Sequence, residues 1–347
     1  MKKVLLGMSG GVDSSVSALL LKKQGFDVVG CTLELFAGSS CCNINTYIDA
    51  KNVCNQIGIP HFTFNYKDEF KKHIIEDFIN CYANCKTPNP CIECNKYMKF
   101  GIMWEKAKEL GCDYIATGHY AKIKDGKLCK ASDLNKDQSY FLAYVDKSVF
   151  KDVLFPLQDL TKPEVRKIAL EHGLITAKKK DSTGICFIGE RNFTKFLKNY
   201  LPNQSGKIVD IETKEVLGTH NGLMYYTIGQ RRGLNIGGNE SRMFVVGKDL
   251  NKNILYVSTN EDYLISDSAL IDTINWISDV KPNECTVKFR YRQQDNPVTV
   301  SYVNDNEIIV KYPQGVKSVT PGQACVFYLG DECLGGGIIK EVRKSNK

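Results

Sequence analysis

An α/β fold built on a parallel sheet, followed by a β-rich half, is what this sequence predicts. Three observations predict it. Strand and helix signals alternate over the first half of the 347 residues, a glycine turn joins the first strand to the first helix, and beyond residue 206 short strand candidates follow one another without helices.

In order along the chain, Val4-Leu5-Leu6 reads as the first strand and residues 15–21 as a buried helix ending near Gly25. Residues 26–33 read as a strand, 47–56 as a helix stopped by Gly58 and Pro60, and 61–66 as another strand. Phe70, Ile74, Phe78 and Cys81 recur at helical spacing over 68–81. A helix over 96–110 closes at Gly111, and 113–118 is the next strand. Alternation of this kind puts ligands at the carboxyl ends of parallel strands, where residues 7–14 and Gly118-His119 fall. Thr161-Lys162-Pro163-Glu164 is a capping box opening a helix that runs to His172, and 192–201 is the last helical pattern. Pro202-Asn203-Gln204-Ser205-Gly206 is a linker. Strand candidates then lie at 207–211, 224–228, 244–246, 254–257, 285–291, 298–302, 307–312 and 324–328, with a border between two β-rich units at 259–263.

The composition suits folded cores, with 43% hydrophobic residues, and the length suits two or three domains. The net charge of +7 permits a nucleic-acid partner without requiring one. The apolar run after Met1-Lys2-Lys3 is too short for a signal peptide, and no stretch is long and apolar enough to cross a bilayer, so a cytosolic protein is expected. Fourteen cysteines do not fit the short disulfide scaffolds of secreted domains. Cys31, Cys112 and Cys325 read as buried apolar residues, and the rest call for thiol chemistry or metal binding.

The segment Ser9-Gly10-Gly11-Val12-Asp13-Ser14, between a strand and a helix, is an anion cradle. Its glycines let backbone N–H groups converge, the helix start adds unpaired donors and a positive dipole end, and Ser9 and Ser14 add hydroxyls. Asp13 repels phosphate unless a divalent cation sits between them, which points to magnesium. No Gly-Lys-Ser/Thr ends the loop, so it is not a Walker A motif.

The two prolines of Thr87-Pro88-Asn89-Pro90-Cys91-Ile92-Glu93-Cys94 mark a loop that delivers its cysteines at the start of the next helix. The helix dipole and Lys96 favour a thiolate there, as Lys178-Lys179-Lys180 do for Cys186. Three readings stay open: a zinc site from Cys81, Cys85, Cys91 and Cys94, a redox CxxC pair, and a sulfur-carrying pair of Cys94 and Cys186. His119 reads equally as a structural histidine, and Arg231-Arg232 and residues 288–292 as solvated strand faces.

The SGGVDS string resembles the PP-loop of the N-type ATP pyrophosphatases, which split ATP between the α and β phosphates and adenylate a substrate oxygen. Over nearly its whole length the chain resembles the bacterial and organellar tRNA-specific 2-thiouridylases. The matching segments are residues 7–14, 87–100, 116–121, 136–142, 181–190, 226–234 and 321–323. The resemblance implies a PP-loop α/β domain at 1–200, a small central domain at 201–260 and a tRNA-binding C-terminal β-barrel at 261–347. It implies Cys94 as nucleophile and Cys186 as persulfide carrier. ATP with Mg2+ would lie at Gly7, Met8, Ser9, Gly10, Gly11, Val12, Asp13, Ser14, Leu33 and Gly118. Asn89, Pro90 and Cys91 would face the target base, and His119, Lys136, Asp137, Gln138, Arg290, Tyr291 and Gln323 would touch tRNA. A monomer that grips the anticodon arm and takes sulfur from a cysteine desulfurase or relay protein is expected. Many members carry aspartate, assigned to proton transfer, where this chain has Cys91. The resulting CxxC plus a distant cysteine also resembles the cluster-dependent tRNA thiolases, which implies a 4Fe–4S cluster on Cys91, Cys94 and Cys186.

Overall fold

The computed structural model describes residues 1–36, 44–181, 184–189, 193–234, 236 and 242–344. Ser182, Thr183, Glu190 and Asn192, which belong to the cysteine segment and the last helix as read from sequence, lie outside the described residues.

The first half runs β1 (Lys3–Gly7), α1 (Val12–Lys23), β2 (Asp27–Glu34), α2 (Ile44–Ile57), β3 (His61–Asn65), α3 (Lys67–Phe70), α4 (Glu76–Ala83), α5 (Pro90–Glu93), α6 (Met103–Glu109) and β4 (Tyr114–Ala116). A π-helical stretch, Lys71–Ile75, joins α3 to α4, and a second, Cys94–Ile102, joins α5 to α6. A hairpin of β5 (Lys122–Lys124) and β6 (Lys127–Cys129) follows, then β7 (Val153–Leu154), α7 (Lys162–Glu171) and α8 (Phe193–Leu197). The sheet order is β3-β2-β1-β4-β7, and every pairing is parallel. Strand alternation divides β1 between two cores. Val4 and Leu6 pack with Ala18, Leu21 and Val53 of α1 and α2, whereas Leu5 packs with Ile92, Phe100 and Met103. The helix bearing the CxxC pair is thereby laid under the sheet opposite α1.

The second half is all β apart from short turns. β8 (Gly206–Asp210), β9 (Val216–His220), β10 (Phe244–Asp249) and β11 (Ile254–Ser258) form a sheet in the order β10-β11-β8-β9. β12 (Ile265–Trp276), β13 (Glu284–Lys288), β14 (Asn296–Asn304), β15 (Glu307–Lys317), β16 (Ala324–Leu329) and β17 (Glu332–Arg343) close into a barrel, because β12 pairs with β17 as well as with β15. The β5–β6 hairpin extends the barrel sheet through Cys129 opposite Glu332. No helix among the described residues is long and apolar enough to cross a membrane.

A strand expected at 224–228 is instead a 3-10 turn at Leu223–Tyr225. Gly222 at φ 146° starts the turn, and Leu223, Met224, Tyr225 and Tyr226 all sink into one core. A short, wholly buried apolar run has no period that distinguishes strand from turn. The last helix is short, ending at Leu197, with turns to Leu201.

Candidate active site

At the carboxyl edge of the parallel sheet, the turn between β1 and α1 is held open by its own polar groups. Met8 N–H donates to the Cys31 carbonyl at 2.7 Å, continuing the β1–β2 ladder into the turn. Ser9 N–H donates to Ser14 Oγ at 3.2 Å, and Ser14 Oγ donates back to the Gly11 carbonyl at 3.1 Å. Gly11 caps α1 without a side chain, so no side chain competes for the first helical N–H groups. Gly10 has φ 64°, and a Cβ there would stand 2.3 Å from the Thr46 carbonyl oxygen. A Cβ on Gly118, after β4, would stand 2.9 Å from Ser14 N and 3.0 Å from the Asp13 carbonyl carbon. Glycine at both positions lets backbone from two further segments close on the cradle.

Asp13 does not present an open carboxylate. Lys162 donates to its two oxygens at 2.7 and 2.8 Å, and the Tyr120 hydroxyl donates to Oδ1 at 2.9 Å. Burial and the Asp13 charge raise the Tyr120 phenol, which stays a donor. The cation that engages this carboxylate is the Lys162 ammonium, which takes both of its oxygens. Lys162 reaches Asp13 because the Thr161–Glu164 capping box starts α7 there, and its backbone N–H is taken by Asp133 at 2.9 Å. Lys162 also pairs with Asp181 at 2.9 Å, which is further held by Arg166 at 2.7 Å and Lys136 at 3.0 Å. Burial pushes the Asp181 carboxyl up, and the hydrogen bonds from Lys162 and Lys136 more than offset it, leaving it below the usual range.

The chain from α7 toward Cys186 is stitched to the cradle at two more points. Thr176 Oγ1 donates to Ser15 Oγ at 2.9 Å, and Lys179 Nζ donates to the Gly10 carbonyl at 2.8 Å and pairs with Asp49 at 2.6 Å. Lys179, from the lysine run expected to favour a Cys186 thiolate, therefore contributes a cradle tether.

His119 is buried and neutral, held well below its ordinary value by burial and by the Lys99 charge. Lys99 Nζ donates to Nε2 at 3.3 Å, so Nδ1–H donates to Thr117 Oγ1 at 2.7 Å. Lys99 follows Cys94 on the π-helical stretch, so it brings a positive charge beside the strand end that abuts the cradle. π-helical segments recur at functional sites because they aim side chains that an α-helix would turn away. Lys99 and Lys162 escape sequence reasoning. The capping box that places Lys162 is visible in the sequence, but the carboxylates it meets are not.

The thiols occupy a different environment. Pro90 opens α5, Cys91 lies half-buried on it, and Cys94 follows one turn later at 8% exposure. Cys94 belongs to a large apolar cluster with Phe70, Phe78, Met98 and Phe187, and the half-buried Cys186 packs against the same cluster. The fold thus brings residues 92 positions apart to one apolar body. The Lys96 ammonium lies over the Tyr97 and Tyr144 rings, 4.8 and 5.9 Å from their centroids. Asn95 donates to the Phe141 carbonyl at 3.1 Å, while its buried Oδ1 has no partner among the described residues.

Neither metal expectation fits this arrangement. Among the described residues no group of three or more His, Cys, Asp or Glu side chains is placed to hold a metal ion, whether the zinc set of Cys81, Cys85, Cys91 and Cys94 or the cluster set of Cys91, Cys94 and Cys186. Cys81 turns to Asp77 at 3.9 Å, and burial with the Asp77 charge pushes its thiol up to about 11, the reverse of what a zinc thiolate needs.

Of the residues expected at tRNA, Gln323 and Tyr291 bridge sheet domain and barrel, while Asp137 and Gln138 are hydrogen-bonded within the sheet domain and Arg290 within the barrel. Gln323 donates to the Thr87 and Pro88 carbonyls at 2.8 and 3.2 Å, and Thr87 N–H donates to the Pro321 carbonyl at 3.0 Å. The barrel therefore grips the loop leading to Asn89, Pro90 and Cys91. Asp137, 4% exposed, accepts from Ala131 and Ser139 backbone N–H and from Ser139 Oγ. Gln138 is bonded to Tyr120, Arg290 donates to Thr320 Oγ1 at 2.6 Å, and Tyr291 rests against Phe141 at 4.3 Å between centroids. Leu33, near the end of β2, is half-buried against both sheet-domain and thiol-side cores.

Comparison with known proteins accounts for nearly the whole chain. The family model described as tRNA methyl transferase HUP domain matches residues 2–190, tRNA methyl transferase PRC-barrel domain 194–259, and Aminomethyltransferase beta-barrel domain 266–339. A protein of Mesoplasma florum named tRNA-specific 2-thiouridylase MnmA is 50% identical, over 97% of this chain and 98% of its own. The protein of the same name from Bacillus cytotoxicus is 49% identical, over 99% and 96%. Among solved structures, the U34-tRNA thiolase NcsA of Methanococcus maripaludis, with its 4Fe–4S cluster, aligns at 22% identity and TM-score 0.38, over 53% of this chain and 61% of that one.

Proposed function

The chain belongs to the family of tRNA-specific 2-thiouridylases, and from that premise we propose that it is a cytoplasmic tRNA-uridine sulfurtransferase that uses ATP to turn the wobble uridine into 2-thiouridine. The observation that carries this reading is the joining of two unlike sites by one helix. The helix that starts with Cys91 and Cys94 continues through Lys99 to the histidine beside the cradle.

ATP lies with its triphosphate in the cradle of Gly7 to Ser14, with Leu33 and Gly118 as neighbours. The uridine, splayed out of the anticodon stack beside Asn89, Pro90 and Cys91, attacks the α-phosphate through O2, and pyrophosphate departs. Adenylation converts a poor leaving oxygen into AMP. The terminal sulfur of a Cys186 persulfide then attacks C2, and AMP leaves. The Cys94 thiolate attacks Cys186 Sγ, breaking the S–S bond, so the sulfur stays on C2 and the two cysteines become a disulfide. A two-electron thiol reductant restores the pair, and a cysteine desulfurase or relay protein reloads Cys186. Lys99 and Lys162 supply positive charge near the phosphates, the term that dominates phosphoryl-transfer catalysis. The apolar cluster around Cys94 and Cys186 shields the persulfide from water.

Residues 1–200 carry this chemistry, while 201–260 and 261–347 hold the anticodon arm. Asp137 and Gln323 serve by shaping the loop seam, and Lys136, Gln138, His119, Arg290 and Tyr291 border it. The test is the mass of the wobble nucleoside after incubation of unmodified tRNA with the protein, ATP and a cysteine desulfurase. The expected gain is that of one oxygen exchanged for sulfur. An unchanged nucleoside, or an amidated one, overturns the reading.

A further inference from the structure

We propose that Lys162 is a positioning residue that couples filling of the phosphate cradle to the chain leading to Cys186, by giving up Asp181 in favour of phosphate. The inference rests on the ATP-binding reading of the cradle and goes beyond it.

The Lys162 ammonium donates to both oxygens of Asp13 and stands in ion-pair contact, at 2.9 Å, with Asp181. The first carboxylate is part of the cradle, and the second lies five residues before Cys186. The lysine side chain is only 10% exposed, so the bridge is poorly screened by solvent and salt. An arriving triphosphate brings several negative charges to the start of α1. It competes for the Lys162 ammonium, and the rival for that ammonium is the carboxylate outside the cradle. Asp181 can be surrendered without being stranded, because Arg166 and Lys136 remain on it. The tethers further up the chain do not depend on Lys162. Thr176 is bonded to Ser15, and Lys179 to Gly10 and Asp49. The change is therefore confined to the chain from Asp181 onward. The described part of that chain, Gly184 to Gly189, opens and closes on glycines at φ 81° and 62° and holds Cys186 between them.

Coupling of this kind is reciprocal, and it has a sign that a merely structural ion pair lacks. If nucleotide must take Lys162 from Asp181, removing the Asp181 charge makes nucleotide bind more tightly. The experiment uses the full chain with α,β-methylene-ATP and magnesium, reading affinity by calorimetry and exchange of residues 184–189 by hydrogen–deuterium exchange. In the wild-type protein the analogue raises exchange at 184–189. In Asp181→Asn affinity improves by about three- to tenfold and the nucleotide-induced rise disappears. In Lys162→Met affinity falls about tenfold or more and the rise is also lost, whereas Lys162→Arg, which keeps charge and reach, retains both. Asp181→Asn with unchanged or weaker affinity overturns the proposal, as does a wild-type rise that persists in Asp181→Asn or Lys162→Met. Analogue binding with no change at 184–189 overturns the coupling alone. Failure of the analogue to bind overturns the cradle reading and the coupling together, and the nucleoside mass then reports separately on thiolation.

Discussion

The phosphate cradle and the thiol cluster are joined by one helix but held by opposite physics. Around Asp13 the side chains are charged, paired and stitched by hydrogen bonds: Lys162, Tyr120, Asp181, Arg166, Lys136 and Lys179. Around Cys94 and Cys186 the neighbours are rings and thioethers, with Phe187 touching Phe70, Phe78 and Phe196 at centroid distances of 5.8, 5.2 and 5.6 Å. A charged nucleotide needs a site that already has counter-charge. A persulfide needs one from which water is excluded. The difference teaches how the proposal can be tested: on it, priming and sulfur transfer are separately breakable.

The largest expected effect tests that separation. Cys94→Ser and Cys186→Ser each abolish 2-thiouridine formation, about three orders of magnitude or more, yet leave tRNA-dependent pyrophosphate release from ATP within a few-fold of wild type. Loss of both activities together in a folded variant would mean that the two regions do not work separately. Next, Phe187→Ala removes a fully buried ring from the thiol-side cluster and costs about 3–5 kcal/mol in denaturant unfolding. Where the variant remains folded, its ATP affinity stays at the wild-type value while thiolation falls. Gly118→Ala acts on the other region. Its Cβ collides with backbone rather than with a flexible side chain, so the cradle must shift, and ATP affinity falls about 10- to 100-fold at little cost in stability beyond about 1–3 kcal/mol.

The smallest effect is one of pH. Burial lowers the Lys248 ammonium to about 8, and its Nζ donates to the Cys85 carbonyl at 3.1 Å on the thiol side of the molecule. The unfolded lysine keeps its proton to about 10.5, so between 8 and 10.5 the unfolded state binds more protons and stability rises with pH. Lys248→Met therefore stabilises the protein by about 1–2 kcal/mol at pH 7, and the gain fades as pH rises through that window. Chemical denaturation at pH 7 and pH 10 reads it directly. A gain that does not shrink with pH would leave desolvation of this lysine without a role.

The two regions also differ in how far the sequence discloses them. The cradle is local: strand, glycine turn and helix start follow within residues 3–23, and a sheet of this kind has its ligand edge at the strand ends. Its counter-charges are not local, because Lys162 and Asp181 come from 149 and 168 residues downstream of Asp13. That is why the lysine that engages Asp13 is not legible beside it in the sequence. The thiol pocket is the reverse. Its cysteines are easily noticed, but their shared apolar cluster is assembled from α3, α4, the second π-helical stretch and the central β-sheet. A zinc reading of Cys81 and Cys85 fails because helix spacing alone does not reveal Asp77 as the Cys81 partner. In the barrel, β12 lacks a clean alternation because its register shifts at Ser266/Ser268 and Asp272/Asn275. β17 is disguised by Gly335-Gly336-Gly337, which sequence rules read as a break and the barrel uses for close approach of Ile271 and Tyr144.

The most direct test loads the protein with heavy-isotope sulfur from a desulfurase, removes donor and free sulfide, and runs one turnover with ATP and unmodified tRNA. The account predicts heavy 2-thiouridine equal in amount to the loaded sulfur and, in the same sample, a Cys94–Cys186 disulfide found by peptide mass. Thiolated product lacking the protein-borne label, or heavy product with both cysteines still reduced, would contradict it.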